Sequence, residues 1–495
     1  MRRPWRHRGW MLPAALLCVV PAWAHVGSKD VFQQVTAGPY KLFVTLRPPT
    51  VIPGLAGIEV RALKADGGGE VSGVRAAALP LMGMASRLAP VAEPLQRSGV
   101  DRAFFSGSVW LMTPGSWQVR FEVDGTAGVA TAAVPVPAVA LSMLPMKRGL
   151  GWLLTGLAGM LTLWGVSIVA GAVREAQLGP DDEPDAERKR RARVAGGFAL
   201  LAAIVLLVGG DRWWKVEARG YAGDLYHPLR LRTALAGDVL TLTISMGGDS
   251  DTVHVPMADN DLLPDHGHLM HLYAIRWPEM DAAFHLHPEL VSGWTLRETL
   301  PKMPVGQYRL FADIVHANGF PETLTATIAV PSDMNGGALE AEDAEGFPAG
   351  VSAGELGAVY RLPDGYSMVW DKPASLTASV ATEFRFKLLD ASGQPAGDMQ
   401  PYLGMAGHAA FVKVDGTVFA HTHPEGSAAM PAVMLANPDS MEAMPGMAAP
   451  VVGPVVAFPY GFPTAGRYRI FVQMKHGVVV ETGVFDAEVH DFRGE

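Results

Sequence analysis

Eight histidines recur at matched positions in two stretches of this chain. His271, His285, His287 and His316 in the first correspond to His408, His421, His423 and His476 in the second. Imidazole is a neutral nitrogen donor at pH 7, and four of them could hold zinc, copper or nickel in a tetrahedral or tetragonal site. Protonated imidazoles at close range repel, and metal binding relieves that repulsion. A lone H-x-H followed by proline is as well explained by a strand that ends there. Four matched histidines in two otherwise different stretches are not.

The element that must position them is a β-hairpin. Asp415-Gly416 sits between two β-rich runs in GMAGHAAFVKVDGTVFAHTHPE (404–425), a strong short-range hairpin signal. A loop centred there sets Val414 opposite Thr417, which puts His408 opposite His423 and His421 on the same face. In the first stretch, PDHGHLMHLYAIRWPEMDAAFHLHPE (264–289), a three-residue loop at Pro278–Met280 pairs Trp277 with Asp281 and again sets His271 opposite His287. The fourth histidine of each set ends an alternating apolar row: Tyr308, Leu310, Ala312, Ile314, His316, and Tyr468, Ile470, Val472, Met474, His476. The expectation is one four-histidine site per module, with His268 and Met405 as weaker extra ligands and Asp265 as an outer carboxylate. Met430, Met434, Met441, Met444 and Met447 tilt the ion toward copper, with zinc as the alternative, because thioethers suit Cu(I).

The matched stretches belong to a diverged internal repeat, residues 217–332 and 355–490. VGQYRLFADIVHANG (305–319) matches AGRYRIFVQMKHG (465–477), and GSWQVRFEV (115–123) in the N-terminal region aligns with the same strand. Residues 333–354, rich in Gly, Ala and acid, read as a linker. The fold expected is mainly β: three immunoglobulin-like β-sandwich modules plus two transmembrane helices.

Residues 1–24 read as a signal peptide: Arg2, Arg3, Arg6 and Arg8, then the apolar run Met11–Val20, then Ala22-Trp23-Ala24. Cleavage there would make His25 the first residue, able to bind copper through amine and ring together. Residues 25–140 read as a β-sandwich module without the histidine cluster. Its stretches GPYKLFVTLRPP, PLMGMASRLAPV and MTPGSWQVRFEVDG resemble the YtkA-like/FixH-like group of immunoglobulin-like domains. That resemblance implies an extracytoplasmic domain in the setting of copper transport and oxidase assembly. Met82 and Met84 in the second stretch are expected to pack rather than to bind copper.

Residues 149–173 and 194–212 read as membrane spans, with Trp213 and Trp214 at an interface. The loop between them, residues 174–193, ends in the cluster Arg188-Lys189-Arg190-Arg191-Ala192-Arg193, which belongs on the cytoplasmic side. The N-terminal and C-terminal modules then lie outside, on the periplasmic side of a cell inner membrane.

At 495 residues the chain is too long for one core. Its net charge of -9 gives no general attraction to nucleic acid. Its one cysteine, Cys18, lies in the signal run, which leaves no thiolate zinc site, iron–sulfur cluster or blue-copper centre. There is no P-loop, dinucleotide-binding glycine turn or G-x-S-x-G elbow. The reading favoured is a membrane-anchored, extracytoplasmic copper-binding protein, non-enzymatic, partnered by a metal transporter or an oxidase-assembly factor. Its rivals are a metalloenzyme (copper oxidase, oxygenase or zinc hydrolase) and a pH-sensing interaction module.

Overall fold

The computed structural model describes residues 30–65, 70–179, 181–223, 225–245, 261–348, 356–438 and 451–491. His25, the signal run and Met441, Met444 and Met447 lie outside the described residues. The chain is mainly β, in three units, with two long apolar helices between the first and the second.

The N-terminal unit packs a five-stranded sheet against a four-stranded one. Alternation does the work: Leu42, Val44, Ile58 and Val60 of one sheet meet Val119, Phe121, Val123 and Val134 of the other in a shared core. Trp117, Val119, Phe121 and Val123, expected on one buried face of Gly115–Gly125, are all buried. Met82 and Met84 do not pack; they are 47% and 84% exposed on an external turn.

The helices span Arg148–Glu175 and Ala186–Gly223, both long and apolar enough to cross a membrane. They pack as a hairpin, with Gly196 against Ala170 and Val166. Two boundaries differ from expectation. The basic cluster at 188–193 is helical rather than loop, and the second helix runs on past Trp214 to Gly223. Lys and Arg are good helix formers, so nothing breaks the helix before Asp185, which caps it by accepting from the Arg188 N–H. At its far end Tyr221 donates to the Ile52 carbonyl of the N-terminal unit.

The repeat units share one plan. In the middle unit a four-stranded sheet faces a six-stranded one built on Gly306–His316, His271–Arg276 and Ala283–Leu286. In the C-terminal unit the corresponding strands are Gly466–His476, His408–Lys413 and Phe419–Thr422. Even small features are kept. The turns at Asp265–His268 and Tyr402–Met405 each close with reciprocal backbone hydrogen bonds, and their central residues have φ 49° and 92° in one, 50° and 79° in the other.

The expected linker is partly structured, since Ala344–Gly346 pairs with Ala283–Leu286 as an edge strand. Met430–Ala436, expected as the start of a methionine-rich loop, is a short helix started by Pro431, and its Ala432 and Ala436 pack on Leu81 and Ala133 of the N-terminal unit.

Candidate metal centre

The two histidine hairpins have the registers their turns dictate. Ala409 pairs with Thr422 and Ala410 with His421, which carries His408 opposite His423. Leu272 pairs with Leu286 and Tyr273 with His285, which carries His271 opposite His287.

What differs from expectation is how the two hairpins relate. They do not lie apart, one in each unit; they face each other. Tyr273, Ile275, Ala283 and Phe311 of the middle unit pack against Ala410, Val412, Phe419 and Phe471 of the C-terminal unit in one apolar cluster. Phe311 stacks on Phe419 with ring centroids 4.4 Å apart. Both faces of each histidine sheet are therefore buried, one against its own unit and one against the other. The histidines gather at one end of this inter-unit core, where His271 lies 5.3 Å from His421 and His285 lies 6.2 Å from His408, ring to ring.

His316 and His476 are not part of it, which corrects the four-histidine expectation. His271 pairs with Asp313, and His408 with Gln473. His316 and His476 each lie three residues further along, an odd step, so they point to the opposite face of the sheet. There His316 is held by Asp261 and Glu322 at 2.9 and 3.1 Å, and His476 by Asp398 and Asp364 at 3.1 and 3.0 Å. The residues gained in their place are Asp313 and Gln473, which share one position in the repeat.

Three rings of the middle unit form the best-organised set. One nitrogen from each of His271, His285 and His287 lies within 4.8 Å of the others. The opposite nitrogen of each is committed outward. His271 Nε2 donates to the Asp265 carbonyl at 3.0 Å. His287 Nδ1 meets Asp343 Oδ1 at 2.9 Å. His285 Nδ1 donates to Gln473 Oε1 at 2.9 Å, and to the hydroxyl oxygen of Tyr402, whose own proton goes to the Glu342 carbonyl. These partners accept, so they fix the N–H on the outer nitrogens and leave lone pairs pointing inward. His271 Nδ1 and His285 Nε2 then face each other at 3.0 Å, lone pair to lone pair. Such a pair offers two nitrogen donors to a shared cation.

A second set crosses the unit boundary. His266, on the positive-φ turn of the middle unit, lies 5.3 Å from His408 and 4.8 Å from His423, ring to ring. His421 sits between the sets, 5.3 Å from His271 and 4.8 Å from His423, with Nδ1 3.4 Å from Asp313. His268 lies against His287, tilted, with ring centroids 4.1 Å apart, and reaches Glu342; Met405, its counterpart, is buried.

Burial first, then neighbouring imidazoles, holds His271, His285, His408 and His423 far below the usual histidine range. The same causes bring His266 to about 4. Burial lowers His287 too, against the opposing pull of Asp343. The rings are thus neutral donors across the physiological range. Asp265 is pushed up to about 6 by burial.

The centre opens to a cavity of about 130 Å³ where all three units meet. Asp265, His271, His421 and His423 line one side of it, and Trp117, Pro135 and Pro137 of the N-terminal unit line the other. That unit also grips the loop after His423: the Gln34 N–H donates to the Glu425 carbonyl, and Ser427 N–H to the Phe32 carbonyl.

Sequence reading missed His266, because its counterpart is Leu403 and the repeat therefore did not mark it. It missed Asp343 because an acidic, glycine-rich stretch reads as a linker.

No curated protein matches the chain in sequence. Among solved structures it is similar to Salmonella alpha-2-macroglobulin reacted with methylamine, at 8% identity and TM-score 0.21, over 92% of this chain and 24% of that one. It is similar to three N-terminal domains of the bacteriophage RB49 Highly Immunogenic Outer Capsid protein, at 10% identity and TM-score 0.12, over 53% of this chain and 59% of that one. It is also similar to MtrC from Shewanella baltica, at 13% identity and TM-score 0.16, over 65% of this chain and 72% of that one. The chain spans about a quarter of the length of the first of these. The C-terminal unit, residues 359–491, matches the family model of a domain of unknown function, DUF8832.

Proposed function

We propose that this protein is a membrane-anchored, extracytoplasmic metal-binding protein that handles copper, with zinc as the alternative ion. The observation that carries this reading is the set of three buried imidazoles whose outer nitrogens are all committed to acceptors and whose inner nitrogens converge. Imidazole-only ligation suits copper and zinc, and excludes the oxygen-preferring magnesium and calcium. The outer acceptors Asp343, Gln473 and the Asp265 carbonyl would set ring orientation and raise ligand basicity. The three β units fit immunoglobulin-like sandwiches, and the exposed apolar surface of both helices, Trp152, Leu161, Ile168 and Leu206 included, fits lipid. The N-terminal unit would then be a YtkA-like/FixH-like domain, and the basic cluster would sit on the cytoplasmic side.

A second reading, a metalloenzyme, is favoured by the cavity beside His271, His421 and His423, which gives a small molecule access to the centre. Asp265 borders it with a pKa of about 6, suited to moving a proton near neutral pH.

Elemental analysis of the full-length protein purified from membranes tests the proposal. Copper or zinc is expected in the native chain and is lost or reduced in His285→Ala. A chain that neither carries metal nor takes up added Cu(II) or Zn(II) refutes it. Metal retained without turnover of a reductant and oxygen, or of an ester, separates binding from catalysis.

A further inference from the structure

We infer that the centre takes two ions, the second held across the unit boundary by His266 of the middle unit and His408 and His423 of the C-terminal unit. This rests on the reading that the first set, His271, His285 and His287, binds metal.

The second set is distinct from the first in both position and ownership. One nitrogen from each of its rings lies within 4.8 Å of the others, no residue belongs to both groups, and between them His285 and His408 lie 6.2 Å apart and His266 and His271 6.3 Å apart, ring to ring. His408 and His423 are buried, and among the described residues neither ring has a hydrogen-bond partner at either nitrogen; His266 Nε2 lacks one as well. Its nearest carboxylate oxygen, Asp265 Oδ1, is 3.5 Å away, beyond a good hydrogen bond, and is itself unpartnered. Buried polar atoms left unsatisfied in this number are costly, and a shared cation satisfies one nitrogen of each ring together. Three neutral imidazoles select a borderline divalent ion or Cu(I).

The repeat explains why there is one such site and not two. The counterpart of His266 is Leu403, in the same backbone conformation (φ 49° and 50°). A hydrocarbon therefore stands where the mirror-image site would need its third ligand, and His285 completes the other set instead. An ion in the second set has ligands from both units, so its binding must favour the docked arrangement over the separated one.

The test is a Cu(II) titration of chelator-stripped, full-length protein in detergent, with bound metal counted. Two equivalents are expected for the native chain, one for His266→Leu and one for His285→Ala. His266→Leu copies the residue the sister turn already carries, so the turn should keep its shape; an unchanged circular dichroism spectrum checks this. Filling the second equivalent should also slow amide exchange in His408–Lys413 and His271–Arg276 in the native chain but not in His266→Leu. A native chain that stops at one equivalent, or a His266→Leu chain that keeps two, overturns the inference while leaving the first set standing. No uptake by the native chain overturns both.

Discussion

Each imidazole in the first set depends on the group behind it. Asp343 holds His287 with a carboxylate, and removing it frees the ring to rotate or change tautomer. Asp343→Ala should weaken metal binding about 10- to 100-fold, read by competition with a chelator of known affinity. A second expectation concerns protons. Histidines kept neutral by burial bind fewer protons folded than unfolded, so their contribution to stability is present above pH ~6.5 and is lost as pH falls. His316 runs the other way. Burial lowers its pKa, but Glu322 and Asp261 outweigh burial and raise it. Its contribution is present below pH ~6.5 and is lost as pH rises. Burial also raises Asp265, Glu298 and Glu481 to about 6, 8 and 7, and these run the same way as His316. The rings are therefore read by difference: between pH ~7.5 and ~5 the urea midpoint of the metal-stripped native chain should move downward relative to that of His408→Leu, and equal movement in the two would show that the ring is not neutral in the fold. Much of this scale was readable beforehand. Turn chemistry determined which histidines face each other, because a hairpin's register follows from its loop. Which face His316 and His476 occupy depends on how Gly306–His316 and Gly466–His476 pair with the hairpins, and that long-range pairing leaves no local mark.

Among elements, the loop after the C-terminal hairpin joins the centre to the N-terminal unit. Gly426 pairs its backbone with His423 and has φ 142°, and a Cβ there would collide with the Phe32 carbonyl oxygen. Gly426→Ala should therefore cost about 1–3 kcal/mol in strain, measurable as a lower thermal midpoint, and should displace His423 enough to weaken one metal equivalent. An unchanged midpoint would mean that the N-terminal unit does not brace this loop. Strand segments of the repeat were legible from alternation. The edge strand Ala344–Gly346 was not, since a three-residue strand in an acidic stretch gains its order from the Ala283–Leu286 edge it covers, not from its own residues.

At the scale of the whole molecule, the two repeat units meet as near-equals. Asp313 of one approaches His421 of the other, and Gln473, at the position equivalent to Asp313, bonds His285, the equivalent of His421. Arg469 donates to the Met280 carbonyl in the opposite hairpin turn, and Arg309, its equivalent, lies against Gly416 in the other turn. Reciprocal contacts of this kind define a two-fold interface. Its aromatic centre is open to measurement. A double-mutant cycle on Phe311 and Phe419 should return a coupling of about 0.5–1.5 kcal/mol, and a value near zero would deny that the stacked pair holds the units together. None of this docking was visible in the sequence, because the residues on the shared face, Ala410, Val412, Phe471 and Tyr273, read as ordinary strand positions.

A two-fold interface inside one chain has a consequence that two separate subunits would not share. Both halves are always present together, at an effective concentration in the millimolar range for a short connection. Dilution cannot separate them, and neither half has to remain a copy of the other. His266 and Leu403, one backbone position with two side chains, are that freedom in use.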